Sequence, residues 1–253
     1  MAIHNYQKHF ELKPGKFVYI QRKDAAIRGE AAIKQINKRY KPHRIFFHFK
    51  RQGGHVAAMR LHQHSSFFSR FDITNFFGQV TRTKVYRALR RIGFSQPRAF
   101  NIAVDGVVVE NGRKIVPYGF CQSALLATLV LEFSHLGSQL KELSGAGFLV
   151  SVYMDDILIS CDDQDVLSEA SEAVIRSADL AGFPLSKDKL AVGVAGVDSF
   201  NCHLASSQIT ILDDRMMKFL NDYDTASDAG KAAIEKYIGA VSAKELTRFL
   251  TLT

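Results

Sequence analysis

The stretch Phe148–Ser160, FLVSVYMDDILIS, constrains this chain more than any other. Two short β-type apolar runs are separated by Met154-Asp155-Asp156, a pattern that predicts a tight hairpin. Two adjacent carboxylates at the end of buried strands repel each other, and their shared charge calls for a cation. The alternative is an ordinary surface turn, because Asp is common in turns.

A second acid bears on that choice. Asp72 ends another apolar strand, FFSRFDI (67–73), and is followed by Phe76 and Phe77 in a region almost devoid of acid. It is either a partner of nearby Arg70 or a ligand. Two acidic groups on separate strands can hold a pair of magnesium ions about 4 Å apart. One ion lowers the pKa of an attacking hydroxyl and the other stabilises a leaving phosphate oxygen. Hard oxygen ligands suit magnesium, which completes its shell with substrate phosphates.

Charge points the same way. Of the 253 residues, 47% are hydrophobic and 23% charged, a globular composition with a net charge of +8. The charge is unevenly placed: residues 1–130 carry 23 Lys/Arg against 6 Asp/Glu, whereas residues 131–253 carry 10 against 19. A basic front half favours a polyanionic partner, most often nucleic acid, with a solvated basic surface as the competing reading. Cys121, Cys161 and Cys202 form no metal or disulfide pattern, which fits a reducing, cytoplasmic setting. The N-terminus lacks the apolar core of a signal peptide, and Ala124–Leu131 is too short to span a bilayer. No membrane partner is expected.

Along the chain, helix-like patterns cover Arg28–Lys41, Thr83–Ile92, Ala124–Leu143 (capped by Ser123), 165–181 with Gly182 as C-cap, and most of the tail from Asp214. Strand-like runs fall at Arg44–Phe49, Val56–Leu61, 67–73, 106–116 (a hairpin about Asn111-Gly112), Lys189–Val194, Asp198–Leu204 and Ile209–Leu212. Gly53-Gly54 is expected to form a hairpin turn before Val56. The histidines between His43 and His64 lack helical metal-site spacing and read as surface or phosphate-contacting groups. Strands and helices mix without strict βαβ alternation, so the class is α+β.

Tyr153-Met154-Asp155-Asp156 resembles the YxDD signature of reverse transcriptases. Phe71–Phe77 (FDITNFF) resembles their first catalytic motif, Val116–Leu129 (VPYGFCQSALLATL) the PQGxxxSPxLxN segment, Ala181–Leu190 (AGFPLSKDKL) the later Gly-Phe and Lys motif, and Asp198–Leu204 (DSFNCHL) the primer-grip hairpin. These motifs follow family order over residues 44–204.

The resemblance implies a right-hand polymerase palm with an antiparallel sheet and helices, basic fingers and a small helical thumb. Fingers would occupy 1–70, palm 71–213 (with part of 80–115 in the fingers) and thumb 214–253, leaving no room for a ribonuclease H or integrase domain. It implies two Mg2+ ions, with Mn2+ as a substitute, held by Asp72, Asp155, Asp156 and the Ile73 carbonyl. Phe77 takes the steric-gate position, with core packing as its other reading. Lys189 takes the position that assists pyrophosphate departure. Tyr118, Gly119 and Ser123 shape the nucleotide floor, Lys50 and Arg60 clamp the triphosphate, and Phe200 and Asn201 contact the primer.

The chain departs from the family pattern at Tyr118, where Gln is usual, and at Ala124, where Pro is usual. The compact architecture and the Phe200-Asn201 pair are similar to bacterial defence-associated, abortive-infection-type enzymes; retron and group II intron enzymes share the core motifs but usually keep PQG. The implied function is RNA-directed DNA polymerisation, a nucleotidyl transfer from dNTPs to a primer 3′-hydroxyl, in antiphage defence. Template-independent or protein-primed DNA synthesis on the same site is the second reading. A non-catalytic reverse transcriptase-like subunit that binds RNA or a partner is the third. The implied partners are RNA or DNA, including a structured non-coding RNA, dNTPs, and a second copy or partner protein that supplements the short thumb.

Overall fold

The computed structural model of the chain describes residues 5–48, 53–205 and 207–253. In chain order, β1 (Tyr6–Lys13), β2 (Lys16–Gln21) and α1 (Lys23–Arg39) precede α2 (Gly54–His62), β3 (Phe67–Asp72), the one-turn α3 (Phe76–Gln79), α4 (Arg82–Arg91) and α5 (Gln96–Asp105). Next come β4 (Val108–Glu110), β5 (Arg113–Ile115), α6 (Ser123–Glu132), α7 (His135–Gly145), β6 (Leu149–Tyr153), β7 (Asp156–Cys161) and α8 (Gln164–Ala181). Strands β8 (Ala191–Val194), β9 (Gly196–Ser199), β10 (Cys202–Ala205) and β11 (Gln208–Ile211) lead to α9 (Asp213–Thr225), α10 (Asp228–Val241) and α11 (Ala243–Leu250). The mixture of helices with antiparallel strands is the expected α+β class. No helix among the described residues is long and apolar enough to cross a membrane.

The chain divides into two compact units. The first takes the segment up to Phe46, Ile73–Glu142 and Val174–Leu185; the second takes Phe47–Asp72, Leu143–Ala173 and Ser186–Thr253.

The second unit is built on a four-stranded antiparallel sheet in the order β6-β7-β3-β8 and a three-stranded sheet in the order β11-β10-β9. Alternation in β3 sends Phe68 into a core with Met59, Leu158 and Leu204, which Phe219, Ile238 and Phe249 close from the C-terminal helices. β9 and β10 pair from Ser199↔Cys202 outward, so the predicted strand Asp198–Leu204 is a hairpin turning at Phe200-Asn201, both with positive φ.

In the first unit, α1, α4 and α5 turn small or apolar faces inward, through Ile36, Val85, Leu89 and Ile102. The hairpin about Asn111-Gly112 forms as expected, with φ of 49° and 74° at its two turn residues. The N-terminal hairpin β1–β2 is not among the sequence expectations. It joins the unit through Tyr19, whose N–H donates to the Tyr118 carbonyl at 2.9 Å and whose hydroxyl donates to Glu110 at 2.7 Å.

Several local expectations are corrected. Val56–Leu61 is helix, not strand: Ala58, Met59 and His62 are buried at helical spacing, and Gly53 (φ 83°) and Gly54 begin that helix rather than turn a hairpin. Residues 44–48 form a turn that buries Ile45 and Phe46 rather than a strand. The helix expected over Ala124–Leu143 is two. Ser134 breaks it, its hydroxyl donating to the Leu131 carbonyl (2.6 Å) and accepting from the Gly137 N–H (3.1 Å), so that it caps α7. Ser123 does not cap α6. It lies in the first turn and its hydroxyl donates to the Pro117 carbonyl at 2.6 Å.

Candidate active site

The β6–β7 hairpin closes on the pair Tyr153↔Asp156, with Met154 and Asp155 as its two-residue turn. Met154 has φ 61°, a left-handed conformation that costs a non-glycine residue about 1–3 kcal/mol. Strained backbone of this kind concentrates at functional sites. On the neighbouring strand, Asp72 stands directly opposite Asp156. Cross-strand partners lie about 5 Å apart at Cβ, so these two carboxylates share one face of the sheet, one residue beyond Asp155 in the turn.

Like charges placed this way repel, and two cations offset them. Lys189 donates to Asp72 Oδ2 at 2.7 Å, and Arg70 Nη2 donates to Asp156 Oδ1 at 2.9 Å. Asp72 is buried, whereas Lys189 is half exposed. The Asp72 hydrogen bond holds the Lys189 ammonium above its usual pKa. Arg70 also donates through Nη1 to the Asp198 carbonyl at 2.6 Å, and its buried Nε has no acceptor among the described residues. The alternative that paired Asp72 with Arg70 is therefore replaced: Arg70 serves Asp156, and Lys189 serves Asp72.

The donor set suits magnesium. Among the described residues no three His, Cys, Asp or Glu side chains form a ready cage. Magnesium does not require one, since it is usually held by one or two carboxylates with water and substrate phosphates filling the shell. Hard carboxylate oxygens on opposed strands fit that requirement. Asp72, Asp155 and Asp156 would hold the ion, with Ile73, the next residue after Asp72, offering its carbonyl.

Sequence reasoning missed the residue that anchors this hairpin. His62, fully buried on α2, hydrogen-bonds Ser160 Oγ through Nδ1 and Ser151 Oγ through Nε2, each at 2.8 Å. One serine belongs to β6 and the other to β7, so one imidazole ties both strands of the Asp155 hairpin. Burial lowers its pKa to about 3, so it is neutral, not a surface or phosphate-contacting group. Its helical spacing from Met59 and Ala58 was the available signal. The Phe200 ring packs on Tyr153 (5.5 Å between centroids) and His55 (6.0 Å), which brings the predicted primer contact to the foot of the same hairpin. Asn201 is the other turn residue of β9–β10.

The predicted nucleotide floor lies in the first unit. The Tyr118 ring meets Phe77 in a T-shaped contact at 4.5 Å, and Lys16 Nζ lies 4.0 Å from the Tyr118 centroid. The crevice lined by these residues holds about 20 Å3, room for about one water. Gly119 has φ 100°, and a Cβ there would run into the Tyr19 carbonyl oxygen. Of the predicted triphosphate clamp, Lys50 lies outside the described residues. Arg60 is exposed on α2 and lines a cleft of about 530 Å3 with Lys244 and β11; it is not one of the cations paired with Asp72 and Asp156.

A model of the reverse transcriptase (RNA-dependent DNA polymerase) family matches residues 20–222, most of the chain. The chain belongs to the reverse transcriptase family. The family match includes every candidate carboxylate and leaves out β1 and the last two helices. Among solved structures, the telomerase of Candida albicans, in complex with a TWJ fragment of telomeric RNA, covers 90% of this chain and 49% of its own at 10% identity, with a TM-score of 0.54. The apo telomerase of Candida tropicalis, truncated from its C-terminal domain, covers 74% of this chain and 45% of its own at 12% identity, with a TM-score of 0.52. At such identities the likeness concerns the fold, a polymerase palm of helices on antiparallel sheet. This reverse transcriptase family member spans about half the length of the telomerase chains it matches. No curated protein matches the sequence.

Proposed function

We propose that this chain is a reverse transcriptase-type DNA polymerase that transfers a nucleotide from a dNTP to a primer 3′-hydroxyl at Asp72, Asp155 and Asp156. The observation that carries the reading is the opposition of Asp72 to Asp156 at the end of the sheet, one residue from Asp155 in a strained turn, within a chain of this family. Magnesium, when bound, supplies an activated 3′-hydroxyl and a stabilised leaving oxygen. The chain's own part is to set the geometry. His62 fixes both strands of the hairpin through Ser151 and Ser160, and Arg70 orients Asp156 while gripping the β9 carbonyl of Asp198. Lys189, held charged beside Asp72, provides a proton for the departing pyrophosphate. Phe77 excludes a ribose 2′-hydroxyl, while Gly119 and Ser123 shape the floor. Lys50 and Arg60 contact the triphosphate, and Phe200 and Asn201 contact the primer.

In this reading residues 1–70 act as fingers, 71–213 as palm and 214–253 as thumb, the nucleic acid is RNA or DNA, and the biological setting is antiphage defence. A second reading, template-independent synthesis on the same carboxylates, draws on Tyr118: with Lys16 over its ring and Phe77 against it, the residue replaces the Gln usual beside the nascent base pair.

The test is sequencing of DNA made by the purified protein with Mg2+, four dNTPs and a primer annealed to an RNA of defined sequence. DNA complementary to the template supports copying, and DNA of unrelated sequence supports the second reading. No DNA under any condition, or equal yield from the Asp155→Ala/Asp156→Ala variant, overturns the proposal.

A further inference from the structure

A cleft of about 380 Å3 opens in the first unit between α4, the α6–α7 junction and the residues that end α8. Its size is that of a ligand site. Lys84, Arg87 and Arg91 from α4 and His135 from α7 line it, and no acidic residue does. Glu132 and Asp179 adjoin lining residues in sequence, but the segment around α4 holds no acid. The 32 residues Ile73–Val104 contain six Lys/Arg and no Asp or Glu.

Two of these cations are held in place by carbonyl groups rather than by carboxylates. Arg91 Nη1 donates to the Phe133 carbonyl at 2.6 Å, and Lys84 Nζ donates to the Ala181 and Gly182 carbonyls at 2.9 and 3.2 Å. These bonds orient the charges but leave them uncompensated, and burial correspondingly lowers the Lys84 pKa. Arg87 is exposed and has no ion-pair partner among the described residues.

The cleft also offers apolar surface. The Phe133 ring lies between Arg91 and Lys141, each 5.8 Å from its centroid, and Leu180 is 74% exposed at the rim. Positions 84, 87 and 91 follow i, i+3, i+7 spacing and so form a row along one helix face, about 10 Å long. That row is long enough to meet neighbouring phosphates of one strand. A row of unneutralised cations beside an aromatic ring is the arrangement that binds single strands, through backbone charge and base stacking.

We propose that this cleft is a second nucleic-acid site, which holds a short stretch of a single strand with phosphates on Arg87 and Arg91 and a base against Phe133 and Leu180. None of its residues belongs to the candidate carboxylate site, so it would anchor a strand without reacting with it. The inference stands on its own residues and goes beyond the polymerase reading.

Its test needs neither Mg2+ nor dNTPs, so it is read whether or not polymerisation occurs. Fluorescence anisotropy of labelled single-stranded RNA and DNA 12-mers is measured against salt for wild type, Arg87→Glu and Arg87→Glu/Phe133→Leu. Loss of one phosphate contact lowers the salt slope by about 0.7 and weakens binding about tenfold at low salt. Loss of the aromatic ring weakens it further by about tenfold. Equal loss for RNA and DNA assigns backbone recognition, and greater loss for RNA assigns a contact to its 2′-hydroxyl. Affinity and slope equal to wild type in both variants overturn the proposal. So does competition by free nucleotide as effective as by the 12-mer, which would make this a small-anion site. Crosslinking of a 4-thiouridine 12-mer to wild type guards against misfolded variants: crosslinks within 84–91 or 130–141 are expected, and crosslinks only elsewhere contradict the site.

Discussion

His62 offers a quantitative handle on the hairpin that carries Asp155. Its imidazole is fully buried between Ser151 and Ser160, and its pKa falls from 6.5 to about 3. In the unfolded chain it returns to the ordinary value. Between these two values the unfolded chain binds one proton more than the folded chain, so stability falls as pH drops through 6.5 and the loss levels off near 3. One such proton changes stability by about 1.4 kcal/mol per pH unit. Integrated from about pH 7.5 to about pH 4.5, His62 alone removes about 2–3 kcal/mol. His48, whose pKa burial lowers to about 4, adds a slope of its own. Comparison with His62→Gln isolates His62. The amide keeps one donor and one acceptor for the serines but does not titrate. The variant should be less stable at neutral pH by about 1–3 kcal/mol, because one serine hydroxyl loses a well-placed partner. Urea denaturation at fixed ionic strength should then show the gap between wild type and variant shrinking by about 2–3 kcal/mol over that pH range. Parallel stability curves would refute the buried, neutral imidazole and its role in pinning the hairpin.

Three further outcomes follow from the geometry. Gly119→Val places a side chain at φ 100° against the Tyr19 carbonyl; it should cost at least about 2 kcal/mol and expose β1–β2 to protease, and an unchanged digestion pattern would contradict the docking of that hairpin. Phe77→Ala should raise ribonucleotide incorporation relative to deoxynucleotide by about 10–100-fold, and an unchanged ratio would leave Phe77 as core packing alone. Lys189→Ala should lower the single-turnover rate by about 100-fold with primer–template affinity unchanged, whereas lost affinity at an unchanged rate would make Lys189 a binding residue.

What could be read from sequence was what rests on local pattern. The 148–160 hairpin, the Asn111-Gly112 turn and β3 carry short β-type apolar runs or turn chemistry that tertiary contacts do not override. The class followed from the mixture of strand and helix patterns, and the family from motif order. Val56–Leu61 misled because a short apolar run has no decisive period, and only the burial of Ala58, Met59 and His62 on one face makes it helix. The β1–β2 hairpin was missed because nearly all of β1 is exposed, so no apolar face announces it; its hold comes from distant Tyr118 and Glu110. The pairing of carboxylates with cations was also beyond the sequence. Lys189 is 117 residues from Asp72 and Arg70 is 86 from Asp156, so only strand register makes them neighbours.

The central claim is that Asp72 and Asp155 form one reacting centre. The most direct measurement is the single-turnover rate of one dNTP added to a bound primer, compared among wild type, Asp72→Asn, Asp155→Asn and the double variant, with primer–template affinity measured in parallel. Each single variant should lose at least about a thousandfold in rate at unchanged affinity, and the double variant should lose little more, because groups that act as a unit are not additive. Rates within about tenfold of wild type, or losses that simply multiply in the double variant, would contradict a shared site.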